Sequence, residues 1–241
     1  LFRLAESHRI SGNPAAARTG YEKLVNEFQS GEFAAAGAFR LGEILFAEKF
    51  YEPATIQFEL AAREAKEPGI RLASTYFAAR GLDAMKREDS AEERYRSVLE
   101  QTADNPYLEN AAMALGALQL RRGKNEAALK TYETLSQIAT APDVSASAAL
   151  QAARLAKESG ANAKAFSLFE AAAQKSADPK TKSEALVESL RLRYQAKDFE
   201  GAVKAATAAE AFMDPAARAE VVQILAASLR QTGRENEARQ A

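Results

Sequence analysis

The chain contains no cysteine and only one histidine, His8, among its 241 residues. The absence of cysteine excludes disulfide bonds, thiol nucleophiles and thiolate metal ligands. A histidine triad would depend on His8 alone. The sequence has neither a glycine-rich phosphate loop nor a His-Glu-x-x-His zinc motif. These absences predict a protein without enzyme activity, without a metal site and without a cofactor.

The chain also lacks an excess of either charge, because 32 basic residues face 33 acidic ones. This balance argues against a dedicated nucleic-acid or anionic-membrane binder. No run of 18 apolar residues occurs, so no transmembrane helix is expected. The chain begins at Leu1, within a helical pattern and without a secretory signal pattern, so we expect a fragment or mature form of a longer protein. The bacterial cytoplasm and periplasm both fit, and a targeting segment could be missing.

What the sequence does contain is an alanine that recurs every 37 positions. The anchors of this series are Ala17, Ala54, Ala91, Ala128, Ala165 and Ala202, and one step of 36 residues adds Ala238. In most copies a bulky apolar residue follows four positions after the anchor, and a further apolar residue follows seven positions after it. This spacing places the three side chains on one face of a helix. A fixed period of roughly 20 to 50 residues is typical of a solenoid.

Turn residues recur with the same period. Glycine lies five residues before four of the anchors, at Gly12, Gly123, Gly160 and Gly233. We expect these glycines to adopt positive φ in the turn between the two helices of a repeat. In the third copy the sequence predicts this turn at 88–90. Asp178 and Asp214 each precede a proline and are predicted to cap the helix that follows.

The segments from Leu41 to Ala61 and from Leu115 to Leu135 carry the clearest repeat pattern. Each has a Leu-Gly pair followed by a small, a bulky and an apolar residue at the anchor spacing. This pattern resembles the tetratricopeptide repeat, and the resemblance covers essentially the whole chain. The period departs from the family norm of about 34 residues. In two copies Arg193 and Gln119 replace Leu45, so each either faces a neighbouring loop or marks a weaker repeat.

The resemblance implies an all-α fold. We expect residues 1–241 to form a single right-handed superhelical α-solenoid of about seven stacked antiparallel helix pairs, the last of them incomplete. The first helix of each pair would line a concave groove. His8 matches the slot of Leu45 and Leu82, and we interpret it as a packing residue.

Residues that face this groove are expected 15, 11 and 8 positions before each anchor, a spacing that keeps them on one helix face. The candidate partner-binding residues are Phe39, Glu43, Phe46, Tyr76, Arg80, Asp83, Met113, Arg154, Lys157, Arg191, Tyr194 and Arg230. The earlier copies provide aromatic side chains with mixed charge, and the last three are basic. Aromatic residues suit apolar peptide side chains, and guanidinium groups suit carboxylates.

We therefore predict a protein–protein interaction scaffold whose partner is a peptide, with its acidic part toward the C-terminal repeats. The lysine–asparagine clamp of some tetratricopeptide proteins is not reproduced, because Arg154 and Arg191 lack the accompanying asparagine. Two alternatives stay open: a spacer or self-assembling module, and a regulatory domain of a larger protein. The near-zero net charge and the period of 37 argue against a nucleic-acid-binding repeat. Side chains that are merely solvated are the simplest reading of the same residues.

Overall fold

A computed structural model describes residues 1–28, 30–101, 104–209 and 215–241, without the side chains of residues 215 and 216. These residues form fourteen α-helices and no strand. The first helices of the pairs, called A helices, are α1 (Phe2–Ile10), α3 (Glu32–Ala47), α5 (Pro68–Ala84), α7 (Leu108–Arg121), α9 (Pro142–Glu158), α11 (Pro179–Gln195) and α13 (Pro215–Gln231). The second, called B helices, are α2 (Pro14–Glu27), α4 (Tyr51–Glu64), α6 (Glu88–Glu100), α8 (Asn125–Ile138), α10 (Asn162–Lys175), α12 (Phe199–Ala209) and α14 (Glu235–Gln240).

Consecutive helices pack against each other within residues 1–121 and within residues 122–241, which confirms the predicted all-α fold of helix pairs. In most pairs the A helix has 16 or 17 residues and the B helix 13 or 14. Three residues connect the two helices of these pairs, and short connections favour antiparallel neighbours. Each anchor alanine is the fourth residue of its B helix.

The chain divides into two compact units, Leu1–Arg121 and Arg122–Ala241. Unit 1 contains α1 to α7, and unit 2 contains α8 to α14. In both units each B helix packs against the A helices on either side of it within that unit. The prediction of a single array over residues 1–241 stays a prediction.

The anchor alanines form the centre of each helix pair. Six of them are fully buried, and Ala238 is 5% exposed. In the second pair, Phe58 fills the space beside Gly42 and has no exposed surface. A Cβ atom at Gly42 would lie 2.7 Å from the Phe58 ring, so any larger residue would force the ring or the helix to shift. The predicted apolar face around Gly42, Ala54 and Phe58 is therefore confirmed.

The four glycines five residues before an anchor adopt φ between 68° and 78°, as predicted. In the other three repeats the same position is a lysine, at Lys49, Lys86 and Lys197, with φ between 61° and 65°. A side chain disfavours this left-handed conformation, so the fold imposes it on these lysines. This conformation could not be predicted from the sequence, because lysine is not a residue typical of turns.

One predicted turn is wrong. The segment 88–90 begins helix α6, and the turn lies at 85–87. Two acidic residues, Glu88 and Asp89, start this helix, where negative charge interacts favourably with the helix dipole. The cap at Asp178 is confirmed, because its carboxylate accepts a hydrogen bond from the backbone N–H of Thr181 at 2.8 Å. Asp214 lies outside the described residues.

Arg193 faces a neighbouring loop, which was one of the two predicted outcomes. Its guanidinium lies 4.5 Å from the centre of the Phe166 ring and donates to Glu170 at 2.8 Å and to Asp198 at 2.5 Å. Asp198 lies in the turn before α12 and also accepts from the backbone N–H of Gly201. The arginine therefore joins its own helix α11 to α10 and to the turn before α12. Gln119, the other replacement, is buried.

Within the described ranges, no helix is long and apolar enough to cross a lipid bilayer.

Candidate functional site

The A helices of unit 1 present a continuous layer of aromatic rings. We call this layer the aromatic face, and it consists of Phe39, Phe46 and Phe77 together with Tyr107, which directly precedes α7; Tyr76 packs beneath it. The layer rests on the buried ring of Phe58, which stacks on Phe77 with centroids 5.4 Å apart. Offset and edge-on ring contacts of this kind stabilise the cluster beyond the apolar area it buries.

Arg80 lies over the aromatic face. Its guanidinium carbon is 5.0 Å from the ring centre of Phe46, 5.7 Å from that of Phe77 and 5.9 Å from that of Tyr76. Arg80 is exposed. No described side chain forms an ion pair with it. A guanidinium that contacts aromatic rings and has no ion-pair partner keeps N–H groups available for a carboxylate.

Tyr76 occupies a different environment from its neighbours on the predicted surface. It is 8% exposed and lies between Phe77, Tyr95 and Tyr107, stacked on the last of these at 4.7 Å. Tyr76 is therefore part of the packing beneath the surface and does not line it. Burial also raises the pKa of the Tyr107 hydroxyl, so this side chain stays neutral at physiological pH.

Charged groups border the aromatic face. Glu43 accepts a hydrogen bond from Arg40 at 2.7 Å, and Arg40 also lies 3.6 Å from Glu6 of the preceding repeat. Hydrogen bonds from Arg9 hold the pKa of Glu6 below its usual value. At the other border Asp83 pairs with Arg121. The predicted residues Glu43 and Asp83 are thus both neutralised within unit 1, and Met113 is half-buried nearby on α7.

The A helices of unit 2 have a different surface. Its predicted basic residues pair with three glutamates in a set that we call the ion-pair ladder, which consists of Arg154–Glu184, Lys157–Glu188, Arg191–Glu188 and Arg191–Glu220. Three of these pairs join one A helix to the next. The bond to Glu220, followed by the charge of Glu188, raises the pKa of Arg191.

The ion-pair ladder carries as many acidic as basic groups. A partner carboxylate that approached Arg154 or Arg191 would have to displace Glu184 or Glu220. Tyr194, also predicted, packs edge-on against Phe199 at 5.3 Å. Arg230 is exposed on α13. The basic surface expected from the sequence is therefore largely neutralised in the folded unit.

Sequence reasoning missed Phe77, Arg40 and Glu188, which share one position, 14 residues before their anchors. It also missed Glu184 and Glu220, which lie 18 residues before theirs. Positions 18, 14 and 11 before an anchor follow a helical spacing of four and three residues. Including these two positions in the pattern would have found the missing aromatic ring and the three carboxylates.

Among the described residues no group of three or more acidic, histidine or cysteine side chains is arranged to hold a metal ion. His8 is half-buried on α1.

Comparison with known proteins found similarity in structure alone. No family model matches the sequence, and no curated protein matches it. The fold is similar to that of MamA, with a TM-score of 0.57 and 15% identity over 71% of this chain and 94% of MamA. A tetratricopeptide repeat protein from Parabacteroides merdae gives a TM-score of 0.55 and 13% identity over 97% of this chain and 86% of that one. YrrB is described as a tetratricopeptide protein with an unusual peptide-binding site. It gives a TM-score of 0.56 and 15% identity over 84% of this chain and 97% of YrrB.

Identities this low carry the fold and nothing more. The matches agree with the paired helices described above. The chain therefore has the tetratricopeptide-repeat fold.

Proposed function

We propose that this chain is a non-enzymatic interaction module and that it binds a peptide or a partner segment on the aromatic face of unit 1. The observation that carries the proposal is the position of Arg80 over three aromatic rings, without an ion-pair partner among the described residues. Aromatic residues and arginine supply most of the binding free energy at protein interfaces. YrrB has the same fold and is described as having a peptide-binding site, which supports a peptide as the ligand.

The chemistry of the aromatic face indicates which groups the peptide should carry. Half-buried rings such as Phe39 and Phe46 would contact an apolar side chain. The free N–H edge of Arg80 would bind a carboxylate, either of an acidic residue or of a chain terminus. We therefore place the acidic group of the partner at unit 1, whereas the sequence suggested the C-terminal repeats. The arginines of the ion-pair ladder already have carboxylate partners.

The test is to select peptides against the full chain from a random library and to measure their dissociation constants by fluorescence anisotropy. Substitution Arg80→Gln removes the charge without touching the core. We expect it to weaken binding about tenfold, which corresponds to about 1.4 kcal/mol. Phe46→Leu keeps most of the apolar volume, and we expect a smaller loss in the same direction.

Arg154→Gln and Arg191→Gln provide the matched controls in unit 2. We expect both variants to bind the selected peptides as the unchanged chain does. Failure to enrich any peptide, or loss of binding in the unit 2 variants with none in Arg80→Gln, would exclude the proposed face. Charge reversal is a poorer control here, because a glutamate at position 154 would lie against Glu184.

A self-assembling or spacer role is the second candidate. Several large apolar side chains of unit 1 are exposed, including Leu4 at 60%, Ile10 at 75% and Phe33 at 63%. Such residues can mark a contact between copies. Light scattering over a range of concentrations decides this point: a chain that stays monomeric at high concentration does not self-assemble.

A further inference from the structure

A second feature of unit 1 is a cavity of about 440 Å³ between α4, α5 and α6. We call it the arginine cavity, and its polar lining consists of Glu59, Arg63, Arg71, Thr75, Arg94 and Ser97. The three arginines come from three different helices. With Glu59 as the single acid of the lining, the formal charge of the cavity is +2 at neutral pH.

The hydrogen bonds around the cavity fix one arginine and leave the other two loosely held. Arg71 donates from Nε and Nη2 to the backbone oxygen of Ala65, at 3.3 and 2.9 Å, so its orientation is set and its Nη1 stays available. Arg94 lies 3.4 Å from Glu59, which is a long ion pair. Among the described residues Arg63, whose side chain is 69% exposed, pairs with its half-buried sequence neighbour Glu64. Exposed ion pairs of this type are weak, and a more strongly charged ligand can replace them.

Unit 2 contains a cavity at the equivalent place, between α10, α11 and α12, with a volume of about 340 Å³. Its residues Glu170, Gln174, Lys182 and Ala205 stand where unit 1 has Glu59, Arg63, Arg71 and Arg94.

The formal charge of this second lining is zero, and its Glu170 is bonded to Arg193. The fold therefore forms the cavity in both units, but it does not require arginines there. Packing does not explain the guanidinium groups of Arg63 and Arg94, whereas that of Arg71 also bonds the backbone of Ala65.

We propose that the arginine cavity binds a phosphate group. A phosphate ester or phosphate ion carries about −1.5 to −2 charges near neutral pH, which matches the charge of the lining. It also presents several oxygens in a tetrahedral arrangement, so guanidinium groups from three directions can each bond to a different oxygen. A single carboxylate is satisfied by one such group. The phosphate could be inorganic phosphate or the phosphoserine of a peptide.

The experiment is a titration of the full ¹⁵N-labelled chain with inorganic phosphate and, separately, with a short phosphoserine peptide. The resonances of the arginine Nε–H groups are followed, and acetate serves as the comparison anion. We expect the signals of Arg63, Arg71 and Arg94 to shift with both phosphate ligands and not with acetate. Tighter binding of the peptide would identify a phosphorylated protein as the source, and equal binding would identify the free ion. Either result supports the site.

The double substitution Arg63→Gln with Arg94→Ala gives unit 1 the side chains that unit 2 carries at these two positions. Because the chain already packs these residues in the equivalent cavity, we expect the variant to fold, and circular dichroism checks this. The affinity for phosphate should fall at least tenfold.

Arg87→Gln is the control. Arg87 pairs with Glu52 across 35 residues, as Arg94 pairs with Glu59, but it lies outside the cavity. Its phosphate affinity should be unchanged. No shift at the three arginines, or an equal loss in the control, would overturn the proposal.

Discussion

The two units are built on the same frame and carry different chemistry. Thirteen of the nineteen aromatic residues lie in the first 121 residues and six in the remainder. Unit 1 has an aromatic face and an arginine cavity, whereas unit 2 has an ion-pair ladder and a cavity without arginine. Anchors, turns and helix lengths set the frame, and the positions between them determine what each unit can bind.

Helix α9 shows why unit 2 cannot form an aromatic face of the same kind. Six of its alanines, Ala146, Ala148, Ala149, Ala152, Ala153 and Ala156, are fully buried. Small side chains on several sides of a helix bring its neighbours close and leave no space for rings. Helix α5 of unit 1 instead carries Tyr76 and Phe77, which occupy that space. Within unit 1, neighbouring repeats thus contact each other through packed rings. Within unit 2, they contact each other through closely packed helices.

The largest expected effect is the loss of stability when a buried ring is removed from each of these two kinds of core. Phe58→Ala and Phe169→Ala remove buried rings at equivalent positions, and each should destabilise its unit by about 3–5 kcal/mol. Phe58 also contacts the rings of Phe39, Phe46 and Phe77, so its loss should cost about 1 kcal/mol more. Urea unfolding followed by circular dichroism measures both. Equal losses would show that the aromatic contacts add nothing.

A second pair of substitutions tests the close packing at Gly42. Alanine normally favours a helix over glycine, but at this position its Cβ would meet the Phe58 ring. We expect Gly42→Ala to destabilise the chain by about 1–3 kcal/mol. The reverse change at the equivalent site of unit 2, Ala153→Gly, should cost about 1–2 kcal/mol, through helix propensity and the loss of a buried methyl group. Thermal unfolding gives both values, and a stabilised Gly42→Ala variant would contradict the packing described here.

The turns between the helices of a repeat give a third comparison, in which two substitutions are expected to change the stability in opposite directions. Lys86 has φ of 61°, and its replacement by glycine should stabilise unit 1 by about 1 kcal/mol. Gly123 holds the equivalent position with φ of 68°, and Gly123→Lys should destabilise by a similar amount. Differential scanning calorimetry detects the two shifts. If both substitutions moved the melting temperature in the same direction, the backbone conformation would not be the cause.

The smallest effect concerns acid sensitivity in unit 1. Glu6 has a pKa below its usual value of 4.5, chiefly because of Arg9. A carboxyl group whose pKa is lowered in the folded state stabilises the fold above its unfolded pKa, and this contribution is lost as the pH falls through the folded value. Glu6→Gln should remove about a few tenths of a kcal/mol at neutral pH and nothing at pH values well below 4. Urea midpoints measured across the pH range check this, and a constant difference would exclude the ion pairs as the cause.

Much of the fold could be predicted from the sequence, because its determinants are local and periodic. A buried alanine every 37 residues, with a bulky residue four positions later, indicates the B helices and their packing face. The exception at 88–90 arose because acidic residues with serine suit both a turn and a helix start. The positive φ of the three turn lysines could not be predicted, because the fold and not the residue type determines that conformation.

The candidate site was less predictable. The spacing predicts one surface for Phe39, Phe46 and Arg80, and in the structure Arg80 lies over Phe46 while Phe39 and Phe46 both contact Phe77. The spacing did not predict that the basic residues of unit 2 would be neutralised. The paired arginine and glutamate lie on neighbouring A helices about 30 residues apart, as Arg154 and Glu184 do. The arginine cavity depends on three helices, and no single periodic pattern contains it.

The central claim is that the binding surface lies on the aromatic face of unit 1. The most direct measurement is a map of backbone amide shifts in the full chain when a peptide selected against it is added. We predict that the largest shifts lie around Phe39, Phe46 and Arg80, on α3 and α5. Shifts confined to α9 and α11, around Arg154 and Arg191, would contradict the account.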